Sequence, residues 1–219
     1  MHMTATLEQH RSEPLKTGTT TVAITFKDGV VMGTENRATM GHFIAHKATQ
    51  KLFRIDDNLG LAVAGLVGDA QLLQRYLSAE VELYKLKRGG QMSVRAASTL
   101  MANILSGRRM YPYWVQLLLA GVDETGSYIY TLDAAGGSIP DKFTSGGSGS
   151  PYVYGVLEDN WKEDLKEQDA VDLVLRGITA AMKRDSASGD GVDIAVITRK
   201  GYTPVSAADL DKRRKALNL

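Results

Sequence analysis

Twice along this chain, a stretch in which apolar residues alternate as they do in strands gives way to a stretch in which they recur every three or four positions, as in helices. The first strand stretch opens with Thr-Thr-Thr-Val-Ala-Ile-Thr-Phe from Thr19, turns at Lys27-Asp28-Gly29 and returns over Val30 to Thr34. Lys51 to Ile55 and Leu59 to Val67 read as two more strands, and Gly68-Asp69 supplies a break and a helix cap. Leu72, Leu73, Tyr76, Leu77, Leu83 and Tyr84 then mark a helix that stops at Gly89-Gly90. Val94, Ala97, Leu100, Met101, Ile104 and Leu105 mark a second one after Ser93. The cycle repeats with strands at Val115 to Val122 and Tyr128 to Leu132 and a small-residue loop at Gly146 to Ser150. A helix is expected after Pro151, another from Val171 to about Arg184, and a buried strand over Val192 to Thr198 closes the series. The order strands, two helices, strands, two helices, strand predicts an α+β domain whose sheets pack face to face under helices, although the order by itself also fits other α+β arrangements.

Ahead of all this, Met1 to Gly18 is polar, contains Pro14 and shows no periodic apolar face, so it reads as a loose leader; Met1-His2-Met3 resembles a cloning remnant. The 219 residues suit one domain, and 26 basic against 25 acidic side chains give no electrostatic reason to expect nucleic acid or a membrane surface as partner. The apolar runs are too short to cross a bilayer, and a cytoplasmic protein is the expectation. The chain has no cysteine, so a nucleophile must be an oxygen or an amine.

The leader ends at Thr17-Gly18-Thr19-Thr20-Thr21. By local propensity the threonines simply start a strand. A cut between Gly18 and Thr19 would also leave an N-terminal threonine. Its α-amine, a group that ordinarily titrates at about 7.7–8.0, sits beside its own hydroxyl and can take that proton near neutral pH.

From Thr19 to Lys200 the chain resembles a proteasome β subunit of the archaeal type. The resemblance is carried by Thr34-Glu35-Asn36-Arg37, Lys51-Leu52-Phe53, Ala64-Gly65-Leu66-Val67-Gly68-Asp69-Ala70, Asp133 to Gly137, Gly147 to Ser150 and Arg184 to Gly189, besides the threonine run. It implies the N-terminal nucleophile hydrolase fold, a four-layer αββα sandwich of two antiparallel sheets between helix pairs. It implies that residues 1–18 are a propeptide lost by autocleavage and 19–219 the catalytic domain. Thr19 would be the nucleophile of a threonine-type endopeptidase that needs no cofactor or metal, with Glu35 and Lys51 as its charged partners. Asp185, Ser148 and Ser188 would form the supporting network, and the Gly65 N–H the oxyanion donor. Extended substrate would lie along Thr39 and Gly65, and Ala38, Phe53, Val63 and Val67 would form an apolar pocket for the side chain before the cut. The implied partners are other β subunits in two stacked seven-membered rings, rings of α subunits, an AAA-type unfolding ATPase and unfolded proteins. Two neighbouring readings share the resemblance: a bacterial HslV-type threonine peptidase, and a structural or arrested ring subunit.

Without the family pattern, several of these residues have plainer readings. Glu35 and Lys51 would be solvated charges, Gly65 a strand bulge, and the pocket residues core. His42 and His46, four apart, lack a carboxylate partner for a metal site. Gly146 to Ser150 lacks the Gly-Lys-Ser/Thr that ends a phosphate loop. Lys212-Arg213-Arg214-Lys215 reads as a solvated basic tail.

Overall fold

The computed structural model describes residues 18–219, so the expected leader, Gly18 apart, lies outside the described residues. β1 (Thr21–Phe26) and β2 (Gly29–Glu35) form the expected hairpin about Lys27-Asp28. β3 (Ala38–Met40) and β4 (Phe43–His46) make a separate small hairpin, followed by β5 (Leu52–Asp56) and β6 (Leu59–Gly65). The first helix pair is α1 (Val67–Arg88) and α2 (Val94–Ser106). Next come β7 (Val115–Asp123), β8 (Gly126–Leu132), β9 (Ser138–Asp141) and β10 (Phe143–Gly146). The second pair is α3 (Ser150–Asn160) and α4 (Glu167–Arg184), and the chain closes with β11 (Val192–Thr198), β12 (Gly201–Pro204) and α5 (Ala207–Ala216).

Two five-stranded sheets result, in the orders β10-β1-β2-β11-β12 and β5-β6-β7-β8-β9, with every neighbour antiparallel. Alternation along β1 shows how they stack. Val22, Ile24 and Phe26 face α3 and α4, whereas Ala23 faces the other sheet together with Met32, Ala62, Leu118, Ala120 and Ala195. On the far side, Leu61, Val63, Leu117 and Leu119 pack against Leu73, Leu77, Met101 and Leu105 of α1 and α2. Helices, sheet, sheet and helices make the αββα sandwich, held by three apolar layers in which each fully buried Leu or Ile contributes about 1.5–3 kcal/mol.

Four expectations need correction. β6 stops at Gly65 rather than Val67, because Gly65 has φ +128° and a Cβ there would come within 2.0 Å of the Trp114 carbonyl oxygen. Leu66 is the N-cap of α1, Val67 is already helical, and Asp69 lies in the first turn, where it accepts the Trp114 N–H at 2.9 Å. The buried face of α1 is Ala70, Leu73, Leu77 and Val81, while Tyr76 and Leu83 are 46% and 41% exposed. The basic tail is not merely solvated. It forms α5, capped by Ser206, and Arg213 reaches Asp172 at 2.6 Å and Asp209 at 2.8 Å while Leu210, Leu217 and Leu219 join the α3–α4 core. Among the described residues no helix is long and apolar enough to cross a membrane.

Candidate active site

One end of the sandwich gathers most of the residues singled out from sequence. Thr19 precedes β1, Glu35 ends β2 and Lys51 precedes β5; all three are buried. The Lys51 ammonium has three N–H bonds and three acceptors: the Glu35 Oε1, the Arg37 carbonyl, and the Thr19 Oγ1 at 3.1 Å. Burial pulls the Lys51 pKa below its ordinary value, and the Glu35 carboxylate opposes that pull. Glu35 is fixed in turn by backbone donors, taking the Thr20 N–H at 3.2 Å on one oxygen and those of Arg37 at 2.7 Å and Gly189 at 3.0 Å on the other.

The Thr19 hydroxyl donates to the carbonyl oxygen of Gly18 at 2.6 Å while it accepts from Lys51. Its own backbone N–H points the other way, to Ser148 Oγ at 3.2 Å. Ser148 comes from the turn between β10 and α3, and donates to Asp185 Oδ2 at 2.6 Å. Asp185 is the residue that ends α4; Ser188, one turn further, donates to the same oxygen at 2.7 Å and itself meets Thr20 Oγ1 at 2.7 Å. A hydroxyl thus stands between a cation and a carbonyl, and the nitrogen of the same residue stands on a Ser-Asp-Ser chain. Such an arrangement can activate an alcohol for attack on an acyl group and hold an amine beside it.

Next to Thr19 lies a cavity of about 320 Å³, walled by Ala38, Thr39, Phe53, Val63, Gly65 and Val67. These are the residues expected from sequence to contact substrate, and among the described residues no carboxylate or guanidinium reaches the wall. Gly18 is held at its edge, its N–H donated to Thr39 Oγ1 at 3.2 Å. Val67 arrives from the first turn of α1 instead of from a strand.

Sequence reasoning missed Arg37. Its side chain bridges the Ser186 carbonyl at 2.8 Å and Asp190 at 2.6 Å, tying the segment that carries Asp185 and Ser188 to the end of β2. The Thr-Glu-Asn-Arg run that carries Glu35 was the signal available for it. Thr49 and Gln50, also on the cavity wall, carried none, because only folding brings them there. His42 and His46 sit on the β3–β4 hairpin, where a spacing of four does not stack side chains as it would on a helix. Among the described residues no three His, Cys, Asp or Glu side chains cluster in a way that would hold a metal.

Comparison with known proteins identifies the family. Residues 15–197 match the family model described as "Proteasome subunit". The chain is 52% identical over 202 residues to "Proteasome subunit beta" of Methanothermobacter thermautotrophicus, covering 92% of this chain and 96% of that one. It is 51% identical over 209 residues to the protein of the same name from Thermoplasma acidophilum, covering 95% and 99%. It is 48% identical over 207 residues to that of Methanosphaerula palustris, covering 94% and 98%. With the family match spanning most of its length and about half its residues shared with these relatives, the chain belongs to the proteasome subunit family.

Proposed function

We propose that this chain is the catalytic β subunit of a proteasome core particle, a threonine-type endopeptidase that exposes its own nucleophile by cutting between Gly18 and Thr19. The observation that carries the reading is the position of Thr19 Oγ1, hydrogen-bonded to Lys51 Nζ at 3.1 Å and to the Gly18 carbonyl oxygen at 2.6 Å. In the first step Oγ1 adds to the Gly18 carbonyl carbon, the C–N bond to Thr19 breaks, and the hydroxyl proton ends on the departing nitrogen. This leaves an ester between Gly18 and Oγ1 and a free α-amine. Water then hydrolyses the ester, releasing residues 1–18 as a propeptide and restoring the hydroxyl on a catalytic domain of residues 19–219.

The amine, seated where the Thr19 N–H now meets Ser148, becomes the base for later turnovers, with Asp185 and Ser188 supporting it. Lys51 lowers the cost of the alkoxide, and Glu35 keeps that lysine charged and aimed. The Gly65 N–H would stabilise the oxyanion of a peptide carbonyl. Substrate enters extended along Thr39, as the Gly18 contact suggests, with an apolar side chain in the Ala38, Phe53, Val63 and Val67 pocket. A charged side chain there would lose hydration without gaining a partner. The subunit would work in stacked β rings between α rings, with an unfolding ATPase delivering protein chains.

Thr19→Ala tests the central claim. Co-assembled with α subunit, it should keep the full mass of 219 residues where the parent loses residues 1–18. Normal processing of Thr19→Ala would refute self-cleavage. On processed particles, fluorogenic peptides ending in leucine, tyrosine or phenylalanine should be cut faster than those ending in arginine or glutamate; the reverse order would refute the pocket assignment.

A further inference from the structure

Val115 to Val122 is an apolar strand with a single polar member, Gln116. Its position in the alternation of β7 places it with Leu118 and Ala120, which face the opposite sheet, and not with Val115, Leu117 and Leu119, which face α1 and α2. Burying a carboxamide between sheets costs free energy unless it is bonded, so its partner is informative. That partner is the Gly147 N–H, which donates to Gln116 Oε1 at 2.9 Å across the gap between the sheets. An amide N–H only donates, so the facing atom must be the side-chain oxygen.

The space is prepared for this bond. A Cβ on Gly146 would stand 3.1 Å from the Gln116 carboxamide carbon and oxygen. Gly147 has φ +85°, and a Cβ on it would lie 2.0 Å from the Thr19 carbonyl oxygen. Two residues on, the Gly149 N–H donates to that same carbonyl at 3.3 Å. The turn that carries Ser148 therefore leans on Thr19 at one end and hangs from Gln116 at the other. Ser148 lies between, with its oxygen 3.2 Å from the Thr19 nitrogen and 2.6 Å from Asp185. A bond already at 3.2 Å is lost with a displacement of a few tenths of an ångström.

We propose that Gln116 is a positioning residue for peptide hydrolysis: its side-chain oxygen, reaching from the second sheet, fixes the Gly147 amide and so sets the distance from Ser148 to the Thr19 nitrogen. The inference rests on Thr19 being the nucleophile. Gln116 acts through Gly147 and is no part of the substrate cavity wall, so its loss should appear in turnover and leave binding alone.

The test uses assembled, processed particles of Gln116→Met, which keeps the shape and removes the acceptor, and Gln116→Glu, which keeps a side-chain oxygen. Q116M should lower kcat for an apolar fluorogenic peptide by about tenfold, since a partly buried donor is left without its acceptor, with KM within about twofold of the parent. Q116E should recover most of that loss, to within about threefold of the parent. If Q116M does not assemble, Gln116→Asn withdraws the oxygen by one methylene while keeping a polar head, and the same fall in kcat at constant KM is expected. Parental kcat in the variant that lacks the acceptor overturns the inference, as does a Q116E loss as deep as that of Q116M, or a loss expressed in KM. Thr19→Ala runs alongside. If it is inactive while Q116M is fully active, this inference alone fails; if it is active, the reading of the site fails and takes this one with it.

Discussion

Lys51 is the residue on which the electrostatics of the site turn, because burial and Glu35 act on it in opposite directions. Replacing Glu35 by Gln removes the opposing charge but keeps a side-chain oxygen for backbone donors. The Lys51 pKa should then fall further, and the alkaline limb of the kcat/KM profile should move to lower pH as the lysine loses its proton earlier. An unmoved limb in Glu35→Gln would mean that Lys51 is not the group titrating there. Lys51→Arg should lose about 10²–10³ in kcat despite conserving charge, since a planar guanidinium does not reproduce three convergent N–H bonds in a closed pocket; steady-state rates on an apolar peptide decide it. How much of this was visible beforehand differs by residue. Thr19 drew attention locally, as a hydroxyl after glycine where a strand begins, but local propensity favoured a plain strand start and only the family pattern made it the nucleophile. Glu35 and Lys51 came only with the family pattern, because sixteen positions of sequence do not show that two side chains meet. Arg37 and Gln116 were hidden because their contacts, with Asp190 and Gly147, are made by folding alone.

Among the elements, the helix pairs and the long strands follow the apolar period, whereas β3, β4, β9, β10 and β12, of three or four residues each, are too short to display one. α1 shows the limit of counting apolar residues: it carries more of them than one face can bury, and only packing decides which go inside. Leu77→Ala should therefore cost about 3 kcal/mol in urea unfolding of the unassembled chain, as burial and cavity predict. Leu86→Ala, at a residue 77% exposed, should stay within about 0.5 kcal/mol. β12 offers a test by pH. Tyr202 packs against the core between the sheets, where burial, reinforced by Asp193, pushes its phenol up to about 12. A raised folded pKa means stability that is fully present below the unfolded value near 10 and is lost as pH rises from there through about 12. Tyr202→Phe should flatten that loss by on the order of 1–2 kcal/mol, less than the full displacement of the phenol would give, because part of the ring reaches solvent. Melting curves recorded between about pH 9 and 12 would show whether the slopes differ.

At the scale of the whole molecule, the site draws on both sheets and on the segment after α4, so its geometry holds only while the sandwich stays closed. With Gly18 still attached, Thr19 is already engaged with Lys51 and Ser148, but its nitrogen is an amide, so the amine base proposed for turnover on other chains does not yet exist. Activity should therefore follow processing. An epoxyketone peptide, whose stable capture needs both a hydroxyl and a free amine, should leave unassembled precursor unmodified and label assembled particles at Thr19; mass spectrometry of the two fractions distinguishes them, and a double adduct on full-length monomer would sink the idea. The glycines around Thr19 carry a further consequence, for how such an enzyme changes over time. Gly18, Gly65, Gly147 and Gly149 each lack room for one more carbon, with the nearest atom at 1.9 or 2.0 Å from where it would sit. Variation has no foothold at those glycines, and it falls to Ala38, Phe53, Val63 and Val67 of the cavity. A library randomised at those four should yield peptidases of altered taste, and one randomised at the four glycines a collection of silent chains; the chemistry can be inherited intact while the diet drifts.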